Sequence, residues 1–215
     1  GLELSIRYQL NIPDQELGFE TIAAIDSMTY QMWLGELTSL KGIEYMPEMY
    51  WLNLNLNRLT DIGPLASLKK LRHLSINQNF NLADITPLAG LTELTYLDIN
   101  SNIITDVSPL AGLVNLEYLN ILFNPVQDIR PLYGLEKLQS LYLSGGNLTD
   151  GISGEGMSNL KELSFLWLCA CRIKDISGLK GMTNLKDMLL EYNEIEDISS
   201  LEFIPNLSSV SLYKN

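Results

Sequence analysis

Basic side chains are scarce in this 215-residue chain: Lys and Arg number 14 against 26 Asp and Glu, a net charge of −12. A surface this acidic repels phosphate backbones, which argues against nucleic acid as a partner. Long apolar runs are missing too. No stretch approaches the ~20 consecutive apolar residues that cross a bilayer, so no membrane span is expected. Cysteine is nearly absent, with only Cys169 and Cys171. Two residues apart on an extended strand, they face the same way at about 6.5 Å or more, poorly placed for a regular disulfide. The chain is therefore not a disulfide scaffold. That leaves an extracellular life open, because a large continuous core can do without staples. The chain opens at Gly1 with neither a Met nor a charged-then-apolar leader. The expectation is that a signal, tag or preceding domain has been removed, and with it any localisation signal.

What is present is repetition. The pattern L-x-x-L-x-L-x-x-N-x-I-x-D-I-x-P-L-x-x-L starts at Met49, Leu71, Leu94, Leu116, Leu138, Leu163, Leu185 and Leu207. The intervals are 22, 23, 22, 22, 25, 22 and 22 residues, and the last copy stops at its Asn column, at Asn215. A weaker copy, "TYQMWLGELTSLKGIEYM", keeps Leu37, Leu40 and Ile43 in register and puts Gly35 in the Asn column. Residues 27–215 therefore read as one array, and residues 1–26 as an atypical N-terminal cap. Within the cap, "LELSIRYQL" alternates like a strand, and "ELGFETIAAI" suits a short helix with Phe19 and Ile22 inward. At the far end the last strand is expected to leave an open edge.

Each column has a physical reason. L-x-L alternates with period two, which predicts a short strand with its Leu side chains inward. Strands are predicted near 51–54, 73–76, 96–99, 118–121, 140–143, 165–168, 187–190 and 209–212, all parallel. The Asn column holds Asn57, Asn79, Asn102, Asn124 and Asn193. At a bend, an inward Asn can bond the backbone of its own and neighbouring turns. Gly146 and Cys171 break the column, Cys171 standing in as a buried weak donor. The Asp column follows (Asp61, Asp84, Asp106, Asp128, Asp150, Asp175, Asp197), then Pro at 64, 87, 109 and 131. Pro suits the first position of a helical turn, and the residue before it, such as Thr86 or Ser108, is a candidate cap. Each repeat thus reads as strand, Asn bend and short helical turn. "DGISGEGMSN", residues 150–159, adds three residues and lacks Pro, which predicts a longer loop.

"LADITPLAGLTELTYLDINSN" and "IITDVSPLAGLVNLEYLNI" resemble the leucine-rich repeats of the internalin type, with their D-I-x-P-L-A-x-L signature. The likeness runs from about Leu37 to Asn215, and "LKGIEYMPEM" resembles the junction between an internalin cap and its first full repeat. The resemblance implies an α/β fold: a right-handed leucine-rich-repeat solenoid with short parallel strands on the concave face and 3-10 or short helical turns on the convex face. It also implies a secreted or surface-exposed bacterial protein that binds a protein partner with its concave face. A more distant likeness, in "EYNEIEDISSLEFIPNL", is to the repeat regulators of protein phosphatase 1, which implies instead a cytoplasmic regulatory scaffold.

The drifting letters lie at repeat positions 3, 5 and 7, outward from the sheet. They make an aromatic band of Trp51, Tyr96, Tyr118, Tyr142, Phe165 and Trp167, with His73, Asp98 and Tyr213 in the same rows and Trp33 extending the third. Neighbouring strands lie ~4.8 Å apart, so these side chains touch. Trp and Tyr anchor protein interfaces, and a monomer rarely exposes such a patch without using it. Cross-strand aromatic ladders also stabilise sheets by themselves. The helical side shows no comparable enrichment, which favours binding, and the acidic balance favours a partner with a basic patch. His73 beside Tyr96 and Asp98 imitates part of an acid-base site, but no nucleophile or closed pocket accompanies it. The stacked Asp residues suit turn capping better than calcium, since no EF-hand spacing occurs. Cys169 is expected to be the more exposed thiol. No catalytic residue, metal or cofactor is expected.

Overall fold

The computed structural model describes residues 6–7, 18–29, 37–148, 152 and 156–215. Among the described residues, nine strands form one sheet in sequence order. They are β1 (Ser27–Thr29), β2 (Trp51–Asn53), β3 (His73–Ser75), β4 (Tyr96–Asp98), β5 (Tyr118–Ile121), β6 (Ser140–Ser144), β7 (Phe165–Cys169), β8 (Asp187–Leu189) and β9 (Ser209–Ser211). Every adjacent pair is parallel. Consecutive parallel strands need a crossover on one side, and here each crossover is a 3-10 turn. Those turns run from Ile43–Tyr45 through Gly63–Ser67, Thr86–Leu88, Ser108–Leu110, Arg130–Gly134, Met157–Asn159 and Ser177–Leu179 to Ser199–Phe203. The result is a right-handed solenoid with the sheet on its concave face and the turns on its convex face.

The Leu columns become files. Leu52, Leu74, Leu97, Leu119, Leu141 and Leu166 lie in register and are fully buried. Leu54, Ile76, Ile99, Ile121, Leu143, Leu168 and Leu190 form a second buried file. No single turn could hide these side chains, so stability is shared between neighbours along the stack.

The Asn column works as a backbone ladder. Asn124 Nδ2 donates to the carbonyls of Ile99, Ile121 and Leu122 at 3.0, 3.2 and 3.2 Å, while its Oδ1 accepts from the Ile104 N–H at 3.0 Å. Asn57, Asn79, Asn102 and Asn193 bond in the same way to their own and the preceding turn. At Gly146 a Cβ would sit 2.4 Å from the Val126 carbonyl oxygen, so no side chain fits. At Cys171 the thiol donates to the Cys169 and Leu143 carbonyls at 3.2 and 3.9 Å, and burial pushes its pKa up to about 12.

Just before the Asn column the backbone is left-handed in every copy: Leu56, Gln78, Ser101, Phe123, Gly145, Ala170, Tyr192 and Lys214 all have positive φ. These residue types share no preference for that conformation, which only Gly and Asn adopt readily. Six of them are followed by an Asn whose side chain bonds the bend, while Gly145 and Ala170, followed by Gly146 and Cys171, adopt the conformation without one.

Several expectations are corrected. The helical turns have no side-chain cap at Thr86 or Ser108; those residues are the donors. Their N–H groups bond Asp84 and Asp106 Oδ1 at 2.8 Å each, two residues back. Asp61, Asp128, Asp175 and Asp197 do the same for Gly63, Arg130, Ser177 and Ser199. An Asx turn suits a residue whose acceptor must reach the N–H two positions on. The bonds from Thr86 and Ser199 hold Asp84 and Asp197 below the usual carboxylate range.

At the N-terminus, Ile6 and Arg7 are helical and Ile6 is buried, where the alternation of "LELSIRYQL" suggested a strand. Leu2, Ile6 and Leu10 also recur every four residues, a helical spacing, and short apolar runs satisfy both periods. The short helix α1, Phe19–Ala23, forms as expected, with Ile22 packed on the core. β1 pairs Met28 with Leu52, an offset of 24 residues, whereas Leu37 and Leu59 hold equivalent bonds at an offset of 22. The first turn therefore carries two more residues between its strand and Leu37 than the repeat pattern assigns.

Candidate functional site

The concave face is built by repeat positions 3, 5 and 7, whose side chains leave the sheet on the side opposite the Leu files. Seven rings make one continuous ladder across β2 to β7. Trp51 and His73 have ring centroids 5.0 Å apart, His73 and Tyr96 4.1 Å, and Tyr96 and Tyr118 4.4 Å, the last two pairs within 4° of parallel. The next in-register residue is Ser140, too small to continue the row. The ladder therefore steps sideways: the Tyr142 ring leans 5.2 Å from Tyr118, 4.9 Å from Phe165 and 6.2 Å from Trp167.

The ladder is half-buried by its own stacking, and that changes its chemistry. Burial raises the phenol pKa of Tyr96 and Tyr118, with Asp98 adding to it. Burial also lowers the His73 pKa from its usual 6.5, outweighing Asp98. Among the described residues, His73 Nδ1 and Trp167 Nε1 have no hydrogen-bond partner. His73 is stacked between Trp51 and Tyr96, Trp167 leans against Tyr142 alone among the described rings, and a buried unpaired N–H is costly.

His73 is the sole histidine, so its titration is directly readable. Its ring signal should titrate with a midpoint below 6.5, and a midpoint above that value would show that Asp98 outweighs burial. The sign follows from linkage. On acidification the unfolded chain takes the proton first, so stability is intact above about 6.5 and declines as pH falls below it.

Beside the rings lies a polar strip. Asp98, itself buried, accepts from Asn77 Nδ2 at 3.0 Å and Asn100 Nδ2 at 2.7 Å. Ser75 Oγ donates to Asn55 Oδ1 at 2.8 Å. These bonds occupy the Asp98 carboxylate with structure, so the geometry assembles no acid-base pair with His73. Among the described residues, no group of His, Cys, Asp or Glu could hold a metal ion. The charged side chains at repeat positions 3, 5 and 7 of β2 to β9 are Asp98, Asp187 and Glu191, with no Lys or Arg among them.

The structure thus brings Trp51, His73, Tyr96, Tyr118, Tyr142, Phe165 and Trp167 together, with Asp98 alongside. Tyr213 lies apart, exposed and edge-on to Tyr192 at 5.7 Å, with Lys214 Nζ over both rings. Trp33 falls outside the described residues. Tyr192 escaped the sequence reading because it occupies the left-handed position before the Asn column, outside the three outward rows. Cys169 is the more exposed of the two thiols, as expected, but at 8% against 0% for Cys171 it is still buried, and burial raises its thiol pKa. Its side chain is short and flanked in register by Ser144, so it lies low in the face.

Two matches to the family model described as Leucine Rich repeats (2 copies) span residues 51–90 and 92–134. Among solved structures, internalin C2 of Listeria monocytogenes is 31% identical, with a TM-score of 0.88 over 97% of this chain and 90% of that one. Internalin F of the same organism is 28% identical, with a TM-score of 0.78 over 100% of this chain and 68% of that one. The ectodomain of the Arabidopsis receptor kinase HAESA, at 23% identity and a TM-score of 0.61 over 69% of this chain and 27% of its own, shares the fold alone. No curated protein sequence matches the chain. The period, the Asn and Asp-Pro columns, the parallel sheet with 3-10 crossovers and the Listeria structures agree: the chain belongs to the internalin family of leucine-rich-repeat proteins.

Proposed function

We propose that this chain is a protein-binding module whose concave aromatic ladder receives a partner carrying a basic patch. The observation that carries the reading is the ladder itself: seven rings in one run on the solvent side of the sheet. Wide, rigid rings supply contact area at low entropic cost. The orphan Trp167 N–H supports the same reading, since an acceptor delivered by a partner would satisfy it. Asp98, Asp187 and Glu191, with no cation among the outward positions, give the face one sign of charge. Residues 1–26 act as the cap and 27–215 as the binding array. Family membership supports a secreted or cell-surface location in a bacterium. Among the described residues no helix is long and apolar enough to cross a membrane.

A partner recovered by pull-down gives the test, with its affinity measured against three forms of the chain. Trp167→Ala should weaken binding by ~2 kcal/mol or more, roughly 30-fold, as central aromatic anchors do. Glu136→Ala, at an exposed residue paired with Lys161 away from the ladder, should leave affinity unchanged. Binding should also weaken as salt rises. If Glu136→Ala abolishes binding while Trp167→Ala leaves it intact, the ladder only stabilises the sheet.

A further inference from the structure

We propose that the chain pairs with a second copy of itself, across a two-fold axis, through the rim where the chain leaves the strands. On this rim four consecutive turns each present one bulky exposed apolar side chain: Leu56, Phe80, Ile103 and Phe123, at 43%, 63%, 48% and 67% exposure. Backbone bonds hold the turns in step, from Leu56 N–H to the Asn77 carbonyl, Gln78 to Asn100 and Ser101 to Leu122. Phe123 N–H bonds Ser144 Oγ. Leu56 and Phe123 also occupy the left-handed position, at φ 60° and 54°. A bulky residue there carries backbone strain and exposed apolar surface together, where Gly or Asn would carry neither.

The order of these four residues selects the occupant. Counted from the start of each repeat they stand at positions 8, 10, 10 and 8. Reversed, the series is unchanged. A two-fold axis between the turns of Phe80 and Ile103 therefore sets Leu56 against Phe123 of the second copy and Phe80 against Ile103. Each pair joins an aliphatic side chain to an aromatic one. Self-complementarity of this kind is what an isologous contact requires. Charge points the same way. Each copy carries −12, and two such surfaces repel. At rim positions 8 and 10 of these four turns the one charged residue is Arg58, with no Asp or Glu, so no carboxylates face each other at these positions. Four large side chains about half exposed offer roughly 400 Å² of apolar surface per copy, below the standard interface size and fit for a transient dimer. A dissociation constant on the order of 100 μM is expected.

Sedimentation of the chain from about 10 μM to 1 mM, in low and high salt, reads this directly. Dimer should grow with concentration and strengthen with salt, because salt screens like charges. That is the opposite sign to the concave-face binding proposed above, so the two readings fail separately. Phe123→Asn should weaken the dimer at least tenfold while leaving Tm unchanged or higher, because Asn is at ease at positive φ. Trp167→Ala should leave the dimer unchanged. Under mild oxidation, a mixture of Leu56→Cys and Phe123→Cys chains should cross-link faster than either alone, the native thiols being buried. A chain that stays monomeric at 1 mM in high salt overturns the proposal. So does a dimer that survives Phe123→Asn, or one lost on Trp167→Ala.

Discussion

Leu119→Ala is expected to destabilise the protein by about 2–5 kcal/mol, in the upper part of that range. Leu119 is fully buried in β5, in register with Leu97 on one side and Leu141 on the other. Both neighbours belong to rigid strands held at sheet spacing, so neither can move in to fill the space left behind. A cavity that cannot collapse adds its own cost to the lost transfer energy. Because turns stabilise one another only through their neighbours, the damage also weakens the coupling between the two halves of the stack. Urea unfolding followed by tryptophan fluorescence measures the loss. A lower m-value than wild type would show the halves coming apart in separate steps. Val114→Ala, at a residue about half exposed, should stay within about 0.5 kcal/mol of wild type. If Leu119→Ala does no more than that, the inward register assigned to the L-x-L pattern is wrong.

The register was legible because each column is written many times over. A single L-x-L is weak evidence for a strand, but copies at a near-constant interval place Leu97, Leu119 and Leu141 on one file from the sequence alone. The same redundancy marked the aromatic rows, and strand spacing then dictated that the rings touch. Legibility failed where the pattern is written once or not at all. The strand read into "LELSIRYQL" rested on one short alternation that a helix also satisfies, and Ile6 and Arg7 are helical. β1 slips by two residues because its turn has no Asn or Asp-Pro column to fix the count. The left-handed position is a different failure. Leu56, Phe123 and Tyr192 give no sign of positive φ, because the conformation belongs to the bend and recurs in every copy whatever residue stands there.

In the face itself, sequence placed the rings but not their partners. It had no means to show that Ser140 diverts the ladder to Tyr142, nor that Asp98 is committed to Asn77 and Asn100. Cys169 illustrates the same limit. Facing outward is a property of the strand, whereas exposure depends on the height of neighbouring side chains.

Asn124→Ala is expected to cost about 3 kcal/mol or more, comparable to deleting a core Leu although far less apolar volume is lost. The side chain is almost wholly buried and holds four backbone groups, one N–H and three carbonyls. Two amide protons serve three carbonyls by sharing, as is common at bends. Alanine leaves the Ile104 N–H unpaired in a dry interior, at about 1–3 kcal/mol, and takes a donor from each of the Ile99, Ile121 and Leu122 carbonyls, of which Ile99 keeps Asn102 Nδ2 and Leu122 keeps the Ser101 N–H. It also removes the side-chain bonds at the bend where Phe123 stands at positive φ. The chain contains its own milder alternative, since Cys171 occupies the equivalent place and still donates to two carbonyls. Asn124→Cys should therefore cost less than Asn124→Ala. Asn124→Asp is isosteric but turns a carboxylate toward three carbonyl oxygens, which raises its folded pKa above the unfolded ~3.9. A raised folded pKa means that the folded state binds the proton first. The penalty relative to wild type should then shrink as pH falls from 7 to 5, because the protonated acid can donate again. Thermal unfolding of the three variants at both pH values tests the ladder. It loses its explanation if Asn124→Ala costs under about 0.5 kcal/mol, or if the Asp penalty does not change with pH.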